Sequence, residues 1–254
     1  MNIPFLSLKK QNHTYVPSYT ALLEEFLDRG YYMLHRNVEN FEKEFAAFCE
    51  VPYCIGVANG LDALELIFEA LDLEAEAEVI VPANTYFASI LSIINTGLKP
   101  VLVEPDPETF LLDPARVRAA IGPKTRAILA VNLYGKMCDY DALSALKREF
   151  NVYLVTDAAQ SHDARYRGSR DCPGADAIAY SFYPTKNLGA LADAGAVVTA
   201  NETLATRIKS LRNYGSEVRY SFKYLGRNSR LSELQAGFLS LKLADLPEET
   251  RKRR

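Results

Sequence analysis

The sequence predicts a three-layer α/β domain with a mostly parallel sheet. Short apolar runs of strand length recur along the 254 residues, at 53–57, 78–81, 100–103, 126–131, 152–155, 177–180 and 196–199. Segments with apolar residues at helical spacing separate most of them, which is the pattern of βα units. An aspartate, Asp157, closely follows the fifth run. Open α/β sheets place their reactive groups at such carboxyl ends.

The elements follow in order. Val38, Phe41, Phe45 and Phe48 recur at helical spacing ahead of the first run. Asn59 and Gly60 form a strand-to-helix turn, and Leu61, Leu64, Ile67, Phe68 and Leu71 then share one helix face. Two strands, 78–81 and 100–103, precede Asp113 and Pro114, a helix start with an N-cap and a proline in the first turn. Strand 126–131, helix 141–150 and strand 152–155 follow, then strands 177–180 and 196–199 and helix 202–211. The end, EETRKRR, reads as a charge-rich helical stretch rather than a targeting or nucleic-acid patch.

Composition narrows the function classes. Net charge is −3, so no long-range field attracts nucleic acid. No apolar run approaches the ~20 residues of a membrane span, and residues 1–10 lack the apolar region of a secretion signal. Cys49, Cys54, Cys138 and Cys172 form no CxxC pair and have no histidine cluster beside them, so neither a zinc site nor another metal site is expected. Cys49 and Cys54 read as core or turn thiols, and a reduced, cytoplasmic setting follows. The dinucleotide and P-loop fingerprints are both missing from the sequence.

The chemistry is concentrated in two segments. SFYPTKNLGALADAG places Lys186 in a loop of small residues, and DAAQSH places Asp157 after an apolar run. A lysine able to form a Schiff base and a carboxylate able to hold a pyridinium proton together describe a pyridoxal 5'-phosphate (PLP) site. A solvated surface lysine and a helix N-cap are the plain alternatives for these two residues. The tight loop around Lys186 weighs against the first, and the second is compatible with a functional role. Gln160 could bond the ring hydroxyl. His162 reads equally as part of the cofactor's surroundings or as a satisfied structural histidine. VANGLDAL offers free N–H groups at a helix start, with Gly60 permitting close approach and Leu61 donating through its backbone. Ser181 adds a hydroxyl for the phosphate. Tyr86 is a stacking candidate, with a core tyrosine as the alternative.

These motifs, with VIVPANTYFASI, VNLYGKMCDYDAL, LRNYGS and NSRLSELQA, resemble the nucleotide-sugar aminotransferases of the DegT/DnrJ type over nearly the whole chain. In wording they are most similar to enzymes that aminate a dTDP-linked 3-keto-6-deoxyhexose. The resemblance implies an aspartate-aminotransferase-like, fold type I domain. It implies Lys186 as the covalent lysine, Asp157 at the ring nitrogen, Gln160 at the ring hydroxyl, Tyr86 on the ring, and Gly60, Leu61 and Ser181 at the phosphate. Tyr183 would face the substrate. Asn228 would reach the phosphate in a partner subunit, which implies a homodimer with shared sites. The substrates implied are a keto-sugar nucleotide and an amino-acid donor, glutamate.

Three departures from the family pattern stand out. Ala192 and Ala194 replace glycines after the lysine, Asp163 replaces a glycine after SH, and His35 stands where a small residue is usual. Residues 1–30 are expected as an N-terminal segment and 31–243 as the PLP-binding domain. Residues 244–254 are expected to begin a link to a smaller C-terminal domain that this sequence lacks. A shortened module that binds PLP and dimerises with little turnover is the alternative function.

Overall fold

The computed structural model describes residues 6–218 and 220–253. The first five residues of the expected N-terminal segment, and the last arginine of the basic tail, lie outside the described residues. Helices α1 (Lys9–His13), α2 (Val16–Arg29) and α3 (Arg36–Phe48) precede β1 (Tyr53–Val57). Then come α4 (Gly60–Leu71), β2 (Glu78–Pro82), α5 (Phe87–Asn95), β3 (Lys99–Val103), α6 (Pro114–Ala120) and β4 (Thr125–Val131). A 3-10 turn, Leu133–Gly135, leads to α7 (Tyr140–Phe150), β5 (Tyr153–Asp157), β6 (Ala177–Ser181), β7 (Gly195–Thr199) and α8 (Glu202–Leu211). A small hairpin, β8 (Ser216–Val218) and β9 (Ser221–Phe222), precedes α9 (Glu233–Leu243) and α10 (Leu246–Arg253).

Strands β1 to β7 form one sheet in the order β1-β7-β6-β5-β4-β2-β3. Strand β7 runs antiparallel to both its neighbours, and the other pairs are parallel. The residues of β7 are all buried, as are nearly all of β4, which explains why these strands read as continuous apolar runs instead of alternating ones.

Local chemistry sets the helix starts. Asn59 Oδ1 accepts from the Asp62 N–H at 2.8 Å, so α4 begins one residue before the predicted Leu61. Asp113 caps α6 with Pro114 in the first turn, as predicted, and Asp139 caps α7. Strand β5 runs to Asp157, two residues beyond the predicted end. An aromatic cluster stiffens the neighbouring strand: Phe45 meets Tyr180 and Phe182 edge-on at 5.0 and 5.1 Å, and Phe41 meets Phe182 at 5.3 Å. These contacts fix the backbone on either side of Ser181. All four cysteines are unpaired and buried. Among the described residues no helix is long and apolar enough to cross a membrane.

Candidate active site

A cleft of about 630 Å³ opens at the carboxyl ends of the parallel strands. Eight of the nine predicted site residues line it: Lys186, Gly60, Leu61, Tyr86, Asp157, Gln160, Ser181 and Tyr183. Asn228 does not. It is exposed, beside the β8–β9 hairpin, and its Oδ1 accepts from Arg230 Nε at 2.9 Å.

Asp157 ends β5 and is held from two sides. The Ala159 N–H donates to Oδ1 at 3.0 Å, and Ser89 Oγ donates to Oδ2 at 2.8 Å. Ser89 in turn shares a 2.8 Å bond with Thr85. The helix that Asp157 was expected to cap is not formed; residues 158–164 make turns, so the carboxylate closes a local turn. Burial raises the Asp157 carboxyl above its ordinary value, while the two donors and the Lys186 charge pull it down. Burial lowers Lys186, and Asp157 partly offsets that. The lysine therefore reaches its neutral, nucleophilic form more readily than a surface lysine.

The loop after β6 is tight. The Lys186 N–H donates to the Tyr183 carbonyl at 2.8 Å, and the Ala190 N–H to the Phe182 carbonyl at 2.8 Å. Ala192 and Ala194 are not among the residues with positive φ, so replacing glycine there imposes no backbone strain. Asp163 does have a positive φ, 61°, and its carboxylate accepts from Arg170 Nε at 2.6 Å. That buried ion pair accompanies the strained position. His35 stacks on Tyr31 with ring centroids 4.6 Å apart, which its larger ring permits.

At the start of α4, Asn59 takes the Asp62 N–H through its side chain and the Ala63 N–H through its carbonyl. The N–H groups of Gly60 and Leu61 are the helix-start donors that remain for a ligand. A Cβ on Gly60 would come within 2.7 Å of Ser181 Cβ, so glycine is what lets the helix start and Ser181 meet. Gln160 Oε1 accepts from the Tyr134 N–H at 2.7 Å, which turns its NH2 end into the available donor. Tyr86 is 76% exposed and Tyr183 52% exposed, so the core-tyrosine alternative for Tyr86 is overturned. Sequence reasoning missed Asn59, Thr85 and Asn132, which also line the cleft, and Ser89, which holds Asp157. A hydroxyl on a helix 68 residues before its aspartate carries no local signal.

His162 is buried against Tyr180 and Phe182. Its ring lies against the Ser181 backbone without reaching hydrogen-bonding geometry, and both nitrogens lack a partner among the described residues. It is not the satisfied structural histidine that was one of its two readings.

The DegT/DnrJ/EryC1/StrS aminotransferase family model matches residues 16–254. The chain belongs to that family. It is 48% identical, over 96% of its length, to a dTDP-3-amino-3,4,6-trideoxy-alpha-D-glucose transaminase of Streptomyces venezuelae, and spans 64% of that relative. It is 47% identical, over 99% of its length, to a dTDP-3-amino-3,6-dideoxy-alpha-D-galactopyranose transaminase of Aneurinibacillus thermoaerophilus, spanning 69% of it. The crystal structure of S. venezuelae DesV superposes with a TM-score of 0.93 at 47% identity, covering 97% of this chain and 66% of that one. A Bacillus subtilis structure described with bound cofactor PMP gives 0.88 at 30% identity, covering 99% and 62%. The fold is that of the fold type I, PLP-dependent transferases.

The cleft of this family member fits pyridoxal phosphate on its own chemistry. A helix start with free N–H groups beside a hydroxyl suits a phosphate, a half-buried carboxylate suits a pyridine N–H, and a desolvated lysine suits a carbonyl.

One consequence concerns Ser89. With its carboxyl raised, Asp157 binds its proton more tightly in the folded chain than in the unfolded one. Such a group costs stability at neutral pH, and the cost fades as pH falls through its folded value toward about 3.9. Ser89→Ala removes a donor to the charged form and enlarges that cost. The cofactor-free variant should lose about 1–2 kcal/mol near neutral pH and much less near pH 4. Thermal melts of both proteins at the two pH values check this; equal losses would assign Ser89 to packing alone.

Proposed function

We propose that this chain is the catalytic core of a PLP-dependent transaminase acting on a keto-deoxysugar nucleotide, of the dTDP-3-keto-6-deoxyhexose class, with an amino acid, glutamate, as donor. The observation that carries the reading is the meeting of Lys186, Asp157 and the Gly60–Leu61–Ser181 cradle in one cleft. The activities for which the Streptomyces and Aneurinibacillus relatives are named support the sugar class.

In this reading pyridoxal phosphate supplies an electron sink when bound. Gly60, Leu61 and Ser181 hold the phosphate by hydrogen bonds. Asp157 keeps the ring nitrogen protonated, with Ser89 and Ala159 fixing the carboxylate in place. Gln160 donates to the ring hydroxyl, and Tyr86 covers the ring. Lys186 Nζ, whose charged form burial disfavours, would accept the proton from the donor's α-carbon and pass it on within the same half-reaction, and would do the converse on the sugar side. Tyr183, on the rim beside the lysine, contacts the sugar.

The exposed position of Asn228 is consistent with service to a partner's phosphate in a homodimer. Four buried, unpaired cysteines support a reduced, cytoplasmic setting. Residues 31–243 would be the PLP-binding domain and 244–254 the start of a link to a smaller domain.

The test is incubation with dTDP-3-keto and dTDP-4-keto deoxyhexoses, glutamate and PLP, read by mass spectrometry. The expected result is an aminated 3-position and 2-oxoglutarate. PLP uptake without either product would replace this reading with that of a binding and dimerising module.

A further inference from the structure

The loop that carries Lys186 is held from outside by one helix, α9. Gln235 Oε1 accepts from the Leu191 N–H at 2.8 Å, and Lys242 Nζ donates to the Gly189 carbonyl at 2.5 Å. About two helical turns separate the two side chains, so they share a face. The helix is itself anchored. The Glu233 carboxylate, in its first turn, accepts from the His35, Asn37 and Val38 N–H groups of the α3 start. Gly237 lets α2 approach, since a Cβ there would come within 2.7 Å of the Leu22 side chain.

Lys242 is the unusual member. It is 5% exposed, and its second partner is Asn12 Oδ1 at 3.3 Å. Both acceptors are neutral, and no carboxylate bonds the ammonium among the described residues. Burial and the Arg253 charge lower it to about 8. A buried cation without an acid costs stability, and an apolar side chain of similar length would fill the same space. What such a side chain could not do is hold the buried Gly189 carbonyl, for which Lys242 is the donor among the described residues.

That carbonyl is coupled to the reactive amine through the folding of the loop. Gly189 lies so close to Pro184 that a Cβ on it would come within 2.4 Å of the Pro184 carbonyl oxygen. The Ala190 N–H closes the loop on the Phe182 carbonyl at 2.8 Å, and Lys186 stands in the turn between, with its N–H on the Tyr183 carbonyl. Moving Gly189 therefore moves the turn that presents Lys186 to the cleft. We propose that Lys242 and Gln235 are positioning residues for Lys186, pinning the loop at Gly189 and Leu191 so that the amine is held where the cofactor's aldehyde must meet it. This role rests on the transaminase reading above and adds two residues to it, neither of which lines the cofactor cleft.

Lys242→Met and Gln235→Met test it, with Gln235→Glu, which keeps an acceptor for Leu191, as the conservative rescue. Amide hydrogen exchange is read on the full chain before PLP is added. Exchange at Lys186 and Ala190 should speed up about tenfold in Lys242→Met, for the loss of a charge-assisted hydrogen bond, and about fivefold in Gln235→Met, for a neutral one. The β4 amides and the melting temperature should stay near the parent's. Covalent capture of PLP is read next. The Lys186 amine adds to the aldehyde with loss of one water, and borohydride reduces the link to a secondary amine. Both methionine variants should be captured more slowly by similar factors, and Gln235→Glu should regain the parent's exchange and capture rates. Unchanged exchange in either methionine variant overturns the role, as does faster exchange with capture at the parent's rate. A lower melt with the β4 amides opened equally makes the two residues merely structural and overturns it as well. If Lys242→Met does not fold, Gln235→Met and its rescue carry the same test. If capture slows as expected but the parent consumes neither amino donor nor keto-sugar, the positioning role stands and the transaminase reading fails. If the parent transaminates and capture is unmoved, the reverse holds.

Discussion

Replacing Lys186 by alanine should abolish the covalent link to pyridoxal phosphate and remove essentially all turnover. The lysine is both the carbonyl nucleophile and the proton carrier in the proposed mechanism. General acid–base catalysis alone contributes about 10²- to 10⁴-fold, so a loss of at least roughly 10⁴ is expected when both roles go. The fold should survive, because the Lys186 contact that holds the loop is made by its backbone N–H to the Tyr183 carbonyl. Borohydride reduction of the loaded parent, followed by peptide mapping, should place the label on the peptide carrying residue 186. The variant should bind pyridoxal phosphate without becoming labelled. A label on any other lysine of the parent would remove Lys186 from the centre of the chemistry.

Asp157→Asn should be nearly silent in the fold and severe in function. The amide can keep the local bonds: its oxygen accepts from the Ala159 N–H, and its NH2 donates to Ser89 Oγ, which then donates to Thr85. It also removes a carboxylate that burial already disfavours, so the cofactor-free variant should melt no lower than the parent near neutral pH. What the amide cannot do is hold a pyridinium proton by charge. One charged hydrogen bond is worth about 3 kcal/mol at most, which is on the order of a hundredfold in rate. Single-turnover rates with glutamate read that loss directly. Turnover close to the parent's would reduce Asp157 to a turn-closing residue.

Much of this was legible in the chain. The seven strands of the main sheet were each found within two residues of their ends, because strands buried on both faces are continuous apolar runs bounded by caps and turns. The Lys186 and Asp157 segments were legible because reactive groups at strand ends stand in loops of unusual composition. The short helix α1, the 14-residue α2 and the β8–β9 hairpin were not predicted, since their apolar residues pack little: Val16, Leu23 and Leu27 of α2 and Val218 and Phe222 of the hairpin are exposed. The hydroxyls that tune Asp157 were missed because they come from α5 and the turn before it.

The sequence by itself determined the α/β class, the strand ends and the residue types of the candidate site, all of which depend on local periodicity and local chemistry. Only the tertiary structure decided which of those residues share a cleft, and that Asn228 stands outside it. It alone shows Glu233 accepting from the His35, Asn37 and Val38 N–H groups at 2.6–3.0 Å, capping α3 from nearly two hundred residues away. It alone leaves the His162 nitrogens without a hydrogen-bond partner among the described residues. The physical reason is that hydrogen-bond satisfaction and charge balance are properties of neighbours in space. A sequence lists the groups that can pair, and folding chooses which of them meet.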